Sequence, residues 1–148
     1  MVDVILSPSF KLSEFTKSAT AIARGIDNTP SLEAIGCLQQ LCLHVLQPLR
    51  NAFEVPIVIG SGYRSPSVNK AVGGVSNSQH MVGMACDIHI RNEEEGNAWF
   101  EWLKYSVPFD QLIRERNTAA SKSWWIHISY RPDGKNRGQI IENLIKNK

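Results

Sequence analysis

Residues 78–90, SQHMVGMACDIHI, place two histidines and one aspartate within an otherwise largely apolar stretch of the chain. His80 precedes Asp87 by seven residues, and His89 follows Asp87 by two. Burying ionisable side chains costs free energy unless they pair with one another or bind a metal ion. The segment therefore predicts one half of a metal site, whose other half must come from elsewhere in the chain.

The first part of the chain has the apolar periodicity of helices. Ser13 is a candidate N-cap for a helix over 12–24. Ser31 is a second candidate cap, and it begins a longer apolar helix over 31–51. Pro48 lies in the last turns of that helix and predicts a kink or an early end.

The remainder of the chain is dominated by short strand patterns. We predict strands over 55–64, 84–90, 109–115 and 123–130, a structured loop over 65–80, a helix over 92–105 and a short final helix over 138–147. Helices followed by strands, with one helix inserted, are typical of an α+β fold. We expect a small antiparallel sheet packed on the N-terminal helices, in a single domain that spans 1–148.

Composition argues against several classes of protein. The net charge is only +2, whereas nucleic-acid binding usually requires a clustered basic face. The sequence contains no run of 18 or more apolar residues, so it predicts no membrane span. The three cysteines, Cys37, Cys42 and Cys86, match no zinc or disulfide motif and are expected to be reduced thiols. We therefore expect neither a nucleic-acid partner nor a membrane partner.

The missing half of the metal site has a candidate in WWIHISY, where His127 lies between two isoleucines. A lone histidine in an apolar strand is more often a core or surface residue than a ligand. Two histidines and one carboxylate with an open fourth position are, however, the composition of a catalytic zinc site. Asp87 and His89 lie two residues apart on a predicted strand and would face the same side. His89 thus stays open as a ligand, a hydrogen-bonding neighbour or a solvated residue.

The stretch GSGYRSPSVNKAVGGVSNSQHMVGMACDI, residues 60–88, resembles the signature of the zinc D-Ala-D-Ala carboxypeptidase and L-Ala-D-Glu endopeptidase family. The hedgehog signalling domain shares the fold of that family. In the family, a Ser-any-His run opens a segment that closes on an aspartate seven residues after the histidine. Ser78, His80 and Asp87 match this pattern.

The family also has a Trp-any-His strand, which Trp125 and His127 match in this chain. The resemblance implies a zinc ion bound by His80, Asp87 and His127. It leaves His89 outside the ligand set, as a neighbour of the ligands.

The resemblance further implies residues that contact substrate. Arg64 matches the arginine of a Gly-Tyr-Arg-Ser loop and would hold a substrate carbonyl or carboxylate, for which its planar fork is suited. Its alternative role is to brace the loop by hydrogen bonds to backbone carbonyls. Ser78 and Tyr130 are the other candidates for substrate binding.

One departure from the family concerns the general base. Many members carry Asp or Glu three residues before the last histidine, where this chain has Trp124. Without a carboxylate, the zinc site would fit a binding module. Glu115 is the candidate substitute, because a hairpin between 109–115 and 123–130 would bring it near His127, and some relatives carry a similar strand. Its alternative is a solvated residue at the hairpin end, paired with a neighbouring arginine.

By this resemblance, the chain is a monomeric zinc metallopeptidase that hydrolyses D-amino-acid-containing bonds of peptidoglycan stem peptides, as a carboxypeptidase or an endopeptidase. The N-terminus lacks the pattern of a signal peptide. This fits cytoplasmic synthesis and release to the cell wall by a holin, as for an endolysin of a bacteriophage or prophage. It also fits a cytoplasmic dipeptidase. The alternative is a catalytically inactive zinc-containing binding module, or a phage structural component, with the same fold.

Overall fold

The computed structural model describes residues 3–146, and residues 1, 2, 147 and 148 of the predicted domain lie outside this part. The helices are Ser13–Thr16 (α1), Ala19–Arg24 (α2), Leu32–Leu41 (α3), Gln47–Phe53 (α4), Pro66–Ala71 (α5) and Glu93–Ser106 (α6). The strands are Ile5–Ser7 (β1), Phe10–Lys11 (β2), Ile59–Ser61 (β3), Ala85–Ile88 (β4), Gln111–Arg116 (β5), Trp125–Ser129 (β6) and Gln139–Ile145 (β7). The predicted α+β class is confirmed. Within 3–146, none of the helices combines the length and apolarity that crossing a membrane would require.

The predicted helix over 12–24 is divided into the two short helices α1 and α2. Lys17 is extended between them. The side chain of Ser18 then accepts a hydrogen bond from the backbone N–H of Ala21 at 3.1 Å. Because such a cap satisfies an otherwise unpaired N–H, Ser18 begins a new helix.

The predicted helix over 31–51 is present, and Pro48 does not end it. A π-helical turn, Cys42–Leu46, joins α3 to α4, which continues to Phe53. Pro48 lacks a backbone N–H and lies in the first turn after this wider turn. The π-helical turn therefore accommodates the proline within a longer helical rod.

The main sheet has the order β3-β4-β6-β5-β7. Its first four strands are antiparallel, and β7 pairs in parallel with β5. The predicted final helix is therefore wrong over the described residues, and its last position, 147, lies outside them. In the pairing, Ile141 lies opposite Ile113 and Leu144 opposite Glu115, so β7 carries one extra residue. Because of this extra residue, the apolar residues of β7 are spaced as they would be in a helix.

The two faces of the sheet have different environments, because successive strand residues point to opposite faces. The face that packs on the helices is apolar and includes Cys86, Ile88, Leu112, Ile126 and Ile128. The opposite face carries Asp87 on β4, Ile113 on β5 and His127 on β6, which lie side by side in register. The sheet thus separates a helix-packed core from a face that can hold a functional site.

Candidate metal centre

The three predicted ligands converge on the open face of the sheet. One ligand atom from each of His80, Asp87 and His127 lies within 4.8 Å of the others. Oδ1 of Asp87 is 3.4 Å from Nε2 of His80 and 3.0 Å from Nδ1 of His127. Two imidazole nitrogens and a carboxylate oxygen at these separations form a donor set that suits zinc.

A 3₁₀ turn, Gln79–Val82, carries His80 into this cluster. The hydroxyl oxygen of Ser78 accepts a hydrogen bond from the backbone N–H of His80 at 3.2 Å. Nδ1 of the buried His80 ring lies 2.7 Å from the carbonyl oxygen of Gly62. Since a carbonyl only accepts, Nδ1 carries the proton of this hydrogen bond, and Nε2 is the ring atom left to bind a metal.

The carbonyl that orients His80 belongs to a glycine with no room for a side chain. A Cβ atom at Gly62 would lie 2.6 Å from the backbone oxygen of Phe15. The next residue, Tyr63, donates its N–H to that same oxygen at 2.7 Å. The loop after β3 is therefore held tightly on α1, and this contact fixes the acceptor for the His80 ring.

Asp87 and His127 reach the cluster from neighbouring strands, where they lie directly opposite each other. Burial alone would raise the pKa of the Asp87 carboxyl, but His80 and His127 lower it well below its usual value. The carboxylate is therefore anionic and available to a cation.

The cluster opens into a cleft of about 680 Å³. Arg64 and Glu115 both line this cleft with the three candidate ligands. Burial lowers the pKa of Arg64, and the nearby negative charges of Asp87 and Glu115 oppose that effect. Nε of Arg64 is buried without a hydrogen-bond partner within residues 3–146. At this atom, the guanidinium does not make the loop-bracing bond that was its alternative role.

Glu115 lines the cleft and is partly buried. Its Oε1 accepts a hydrogen bond from the indole Nε1 of Trp125 at 2.8 Å. The neighbouring arginines have other partners: Arg114 stacks over the Trp124 ring at 4.1 Å, and Arg116 donates to the side chain of Asn143. The carboxylate is therefore directed by an aromatic donor on the strand that also carries His127.

Trp124 occupies the position where many relatives have the general base, and it lies on the other face of the sheet. Its ring is buried in the core cluster. The edge of the ring lies so close to Gly96 of α6 that a Cβ there would be 2.7 Å away. In this chain, a carboxylate at position 124 would be buried against α6 and away from His127.

Two other residues singled out in the sequence lie outside the cleft. Tyr130 is buried, and its ring stacks on His44 at a centroid distance of 4.8 Å. His89 is exposed and follows the end of β4, where the strand alternation no longer applies. The structure therefore groups neither residue with the candidate ligands. Ser78, in contrast, lines the cleft.

The sequence did not indicate a buried hydrogen-bond network next to His80. The fully buried Asp110 accepts bonds from Nε2 of Gln79 at 2.9 Å and from Nη2 of Arg137 at 2.7 Å. The bonds from Arg137 are the largest cause that lowers the pKa of Asp110, to about 2. The network links the turn that carries His80 to the loop before β7. Gln79 and Asp110 are 31 residues apart, so no local sequence pattern reports their contact.

Comparison with known proteins shows the family of the chain. The sequence model of the family described as Peptidase M15 matches residues 8–129. A zinc D-Ala-D-Ala carboxypeptidase of Streptomyces albus G is 48% identical to this chain over 44 residues. That alignment covers 29% of this chain and only 17% of the relative. The likeness to the relative is therefore local, whereas the family match spans most of the chain.

Proposed function

Because the chain belongs to the peptidase M15 family, we propose that it hydrolyses peptide bonds in the stem peptides of peptidoglycan. Zinc is the metal that the family and the relative imply, and the donor set fits it. The observation that carries the proposal is the position of Glu115 and Arg64 in the same cleft as His80, Asp87 and His127.

The side chains of the proposed ligands suit a divalent metal ion. His80 offers Nε2 because its other nitrogen donates to Gly62, and Asp87 contributes a negative charge. Zinc at a site with three protein ligands supplies a Lewis acid and activates a water molecule. The cleft that these residues line would give room for water and substrate.

Glu115 is the proposed general base. Its Oε1 is held by Trp125, which leaves Oε2 for proton transfer. In hydrolysis, the oxygen of water bonds to the carbonyl carbon while Glu115 takes the proton. The C–N bond then breaks, and Glu115 passes the proton to the departing amine.

Arg64 is the proposed electrostatic partner of the substrate. Its guanidinium is always charged, and it lines the cleft near Asp87. It would stabilise the negative charge that develops on the carbonyl oxygen of the scissile bond. Ser78 lines the same cleft, and its hydroxyl hydrogen is proposed to donate to the peptide backbone of the substrate.

We propose bonds next to D-configured residues as the substrates, either D-Ala-D-Ala or L-Ala-D-Glu. The Streptomyces relative is named for the first of these bonds. Digestion of purified muropeptides, followed by mass spectrometry, tests the proposal. We expect chelator-sensitive cleavage, with product masses that identify the bond. Intact muropeptides after incubation with zinc-loaded protein would overturn the enzymatic function and favour an inactive binding module.

A further inference from the structure

The open face of the sheet continues past the candidate ligands as a row of aliphatic side chains. Asp87 on β4 lies opposite His127 on β6. His127 in turn lies opposite Ile113 on β5, and Ile113 lies opposite Ile141 on β7. Residues directly opposite each other on neighbouring strands point to the same face. Two proposed metal ligands and two isoleucines therefore form one row across four strands.

The next row on the same face widens this apolar region. Trp125 lies opposite Glu115, and Glu115 lies opposite Leu144 of β7. Ile113, Ile141 and Leu144 all line the main cleft. We call these three residues the aliphatic surface. Ile113 is buried but does not belong to the core cluster on the helix side of the sheet, so its side chain contributes to the cleft.

Polar side chains border the aliphatic surface on two sides. On one side, Nε2 of Gln111 donates to Oε1 of Gln139 at 2.7 Å. On the other side lies the carboxylate of Glu115. Between these borders, Ile141 and Leu144 are half-buried and still present apolar area that a ligand can cover. Removing such area from water is favourable roughly in proportion to its size, so this part of the cleft suits an apolar group.

The spacing of the strands places this surface next to the scissile bond of a bound peptide. Neighbouring strands lie about 4.8 Å apart. Ile113 is thus one strand spacing from His127, and Ile141 is two. An extended peptide advances by about 3.3 Å per residue. A peptide that crosses the strands with its carbonyl at the metal centre therefore places an adjoining side chain over Ile113 and Ile141.

We propose that the aliphatic surface binds the side chain of the substrate residue that supplies the scissile carbonyl, and that it selects an aliphatic residue there. This inference rests on the proposed function and adds the residue that is recognised. In both candidate bonds, the residue on this side is alanine. The departing residue instead carries a free carboxylate, as D-Ala or as γ-linked D-Glu, and a carboxylate would lose its hydration on an aliphatic surface.

The aliphatic surface is larger than the methyl group of alanine requires. Ile141 and Leu144 extend it from Ile113 to β7, the edge strand of the sheet, within a cleft of about 680 Å³. The branched side chain of valine covers more of this surface than a methyl group does. The activity should therefore extend beyond natural stem peptides to peptides with valine in place of this alanine.

The test compares valine with threonine at this position, because the two side chains have nearly the same shape and differ in polarity. The peptides are D-Val-D-Ala and D-Thr-D-Ala versions of one stem peptide, and L-Val-γ-D-Glu and L-Thr-γ-D-Glu versions of another. For the bond that is cleaved, we expect kcat/KM to be at least about tenfold higher for valine, as in apolar sites that receive a hydroxyl. The double variant Ile141→Thr/Leu144→Thr keeps β-branched residues in β7 and should bring this ratio to about one.

Two further variants make the comparison specific. Ile141→Thr alone leaves the neighbour of Glu115 unchanged and should lower the ratio in the same direction. Val58→Thr changes an exposed aliphatic residue that does not line the cleft, and it should keep the wild-type ratio. An indirect effect of Leu144 on Glu115 would change the rates for both peptides alike and leave their ratio unaffected.

Equal kcat/KM for valine and threonine in the wild type, or an unchanged ratio in the double variant, would overturn the inference. Calorimetric binding of the same peptides to zinc-loaded Glu115→Gln protein separates it from the proposed function. If no peptide is hydrolysed but valine peptides bind more tightly through Ile141 and Leu144, the enzymatic function fails and the aliphatic subsite stands. If peptides are hydrolysed without a preference for valine, the enzymatic function stands and the subsite fails. No hydrolysis together with equal binding overturns both.

Discussion

The carboxylate of Glu115 accepts a hydrogen bond from the indole of Trp125 at 2.8 Å, across the pair of strands that also places Ile113 opposite His127. Glu115 and His127 therefore point to the same face of the sheet. This relationship joins the proposed base to the proposed metal ligands through the register of one hairpin. Glu115 also supplies a carboxylate in this chain, which has Trp124 at the position where many relatives have the general base.

Replacing Glu115 by glutamine keeps the size of the side chain and an oxygen that can accept from Trp125, but it removes the basic group. We expect kcat/KM on muropeptides to fall by about 100-fold or more, within the range of general acid–base catalysis. Zinc content and thermal stability should be unchanged. Glu93→Gln, at an exposed glutamate in the first turn of α6, is the matched control and should keep full activity. Wild-type rates in the Glu115 variant would remove it from the mechanism.

The histidines of the chain provide a test of the ligand set. His127→Ala removes one of three protein ligands and should abolish stoichiometric zinc binding after dialysis. His89→Ala removes an exposed imidazole outside the cleft and should retain one zinc ion per chain. Elemental analysis of the two purified variants makes the comparison. Loss of zinc in the His89 variant, or full retention in the His127 variant, would contradict the assignment.

Alanine variants at two glycines distinguish the effect of crowding at one position from the general effect of adding a methyl group. Gly62→Ala would drive a Cβ against the backbone of Phe15 and displace the carbonyl that orients His80. We expect lower stability, by roughly 1–3 kcal/mol as for overpacked sites, together with weaker zinc binding. Gly36→Ala lies in α3 with no atom within 4 Å of the new Cβ. It should raise stability by about 0.5–1 kcal/mol, because alanine is the better helix former.

Thermal melts and zinc titrations of both glycine variants check this prediction. A Gly62 variant with unchanged zinc affinity would show that the His80 ring does not depend on this acceptor. A Gly36 variant that is equally destabilised would show that the effect at Gly62 is not specific to its crowded position.

Asp110 should make stability depend on pH. Its pKa is lowered from 3.8 to about 2 in the folded protein, first by hydrogen bonds from Arg137. A lowered folded-state pKa contributes stability above the unfolded-state value, and this contribution is lost as pH falls from about 4 towards 2. We expect roughly 1–2 kcal/mol, reduced by solvent screening because Arg137 is half exposed.

Urea denaturation of wild type and Asp110→Asn at several pH values isolates this contribution from those of the other carboxylates. The variant should be less stable at pH 7, and the difference should shrink as the pH falls towards 2. A difference that does not change with pH would show that the charge of Asp110 is not what stabilises the network.

The candidate ligands could be predicted from the sequence because they combine a local spacing with a distinctive chemistry. His80 and Asp87 lie in one short segment, and His127 lies on a strand whose neighbouring residues are apolar. Glu115 required one further inference, the pairing of two strands close in sequence. The alternation of those strands also explains why Trp124 and His127, three residues apart, face opposite sides.

Features that depend on contacts between distant parts of the chain could not be predicted from the sequence. The strand β7 was predicted as a helix because its extra residue shifts the apolar spacing, and its parallel pairing with β5 is a long-range contact. The division at Lys17 followed from a cap by Ser18 within an otherwise helical pattern. That division places Lys17 beside a space of about 220 Å³ that Lys146, from the other end of the chain, also lines.

The most direct test of the central claim is the zinc content of the purified protein, measured together with its cleavage of muropeptides. The chain should bind one zinc ion, lose cleavage when a chelator removes the metal, and regain it when one equivalent of zinc is restored. Protein that cleaves muropeptides equally well without metal, or that binds no zinc at all, would contradict the assignment of His80, Asp87 and His127 as a catalytic metal site.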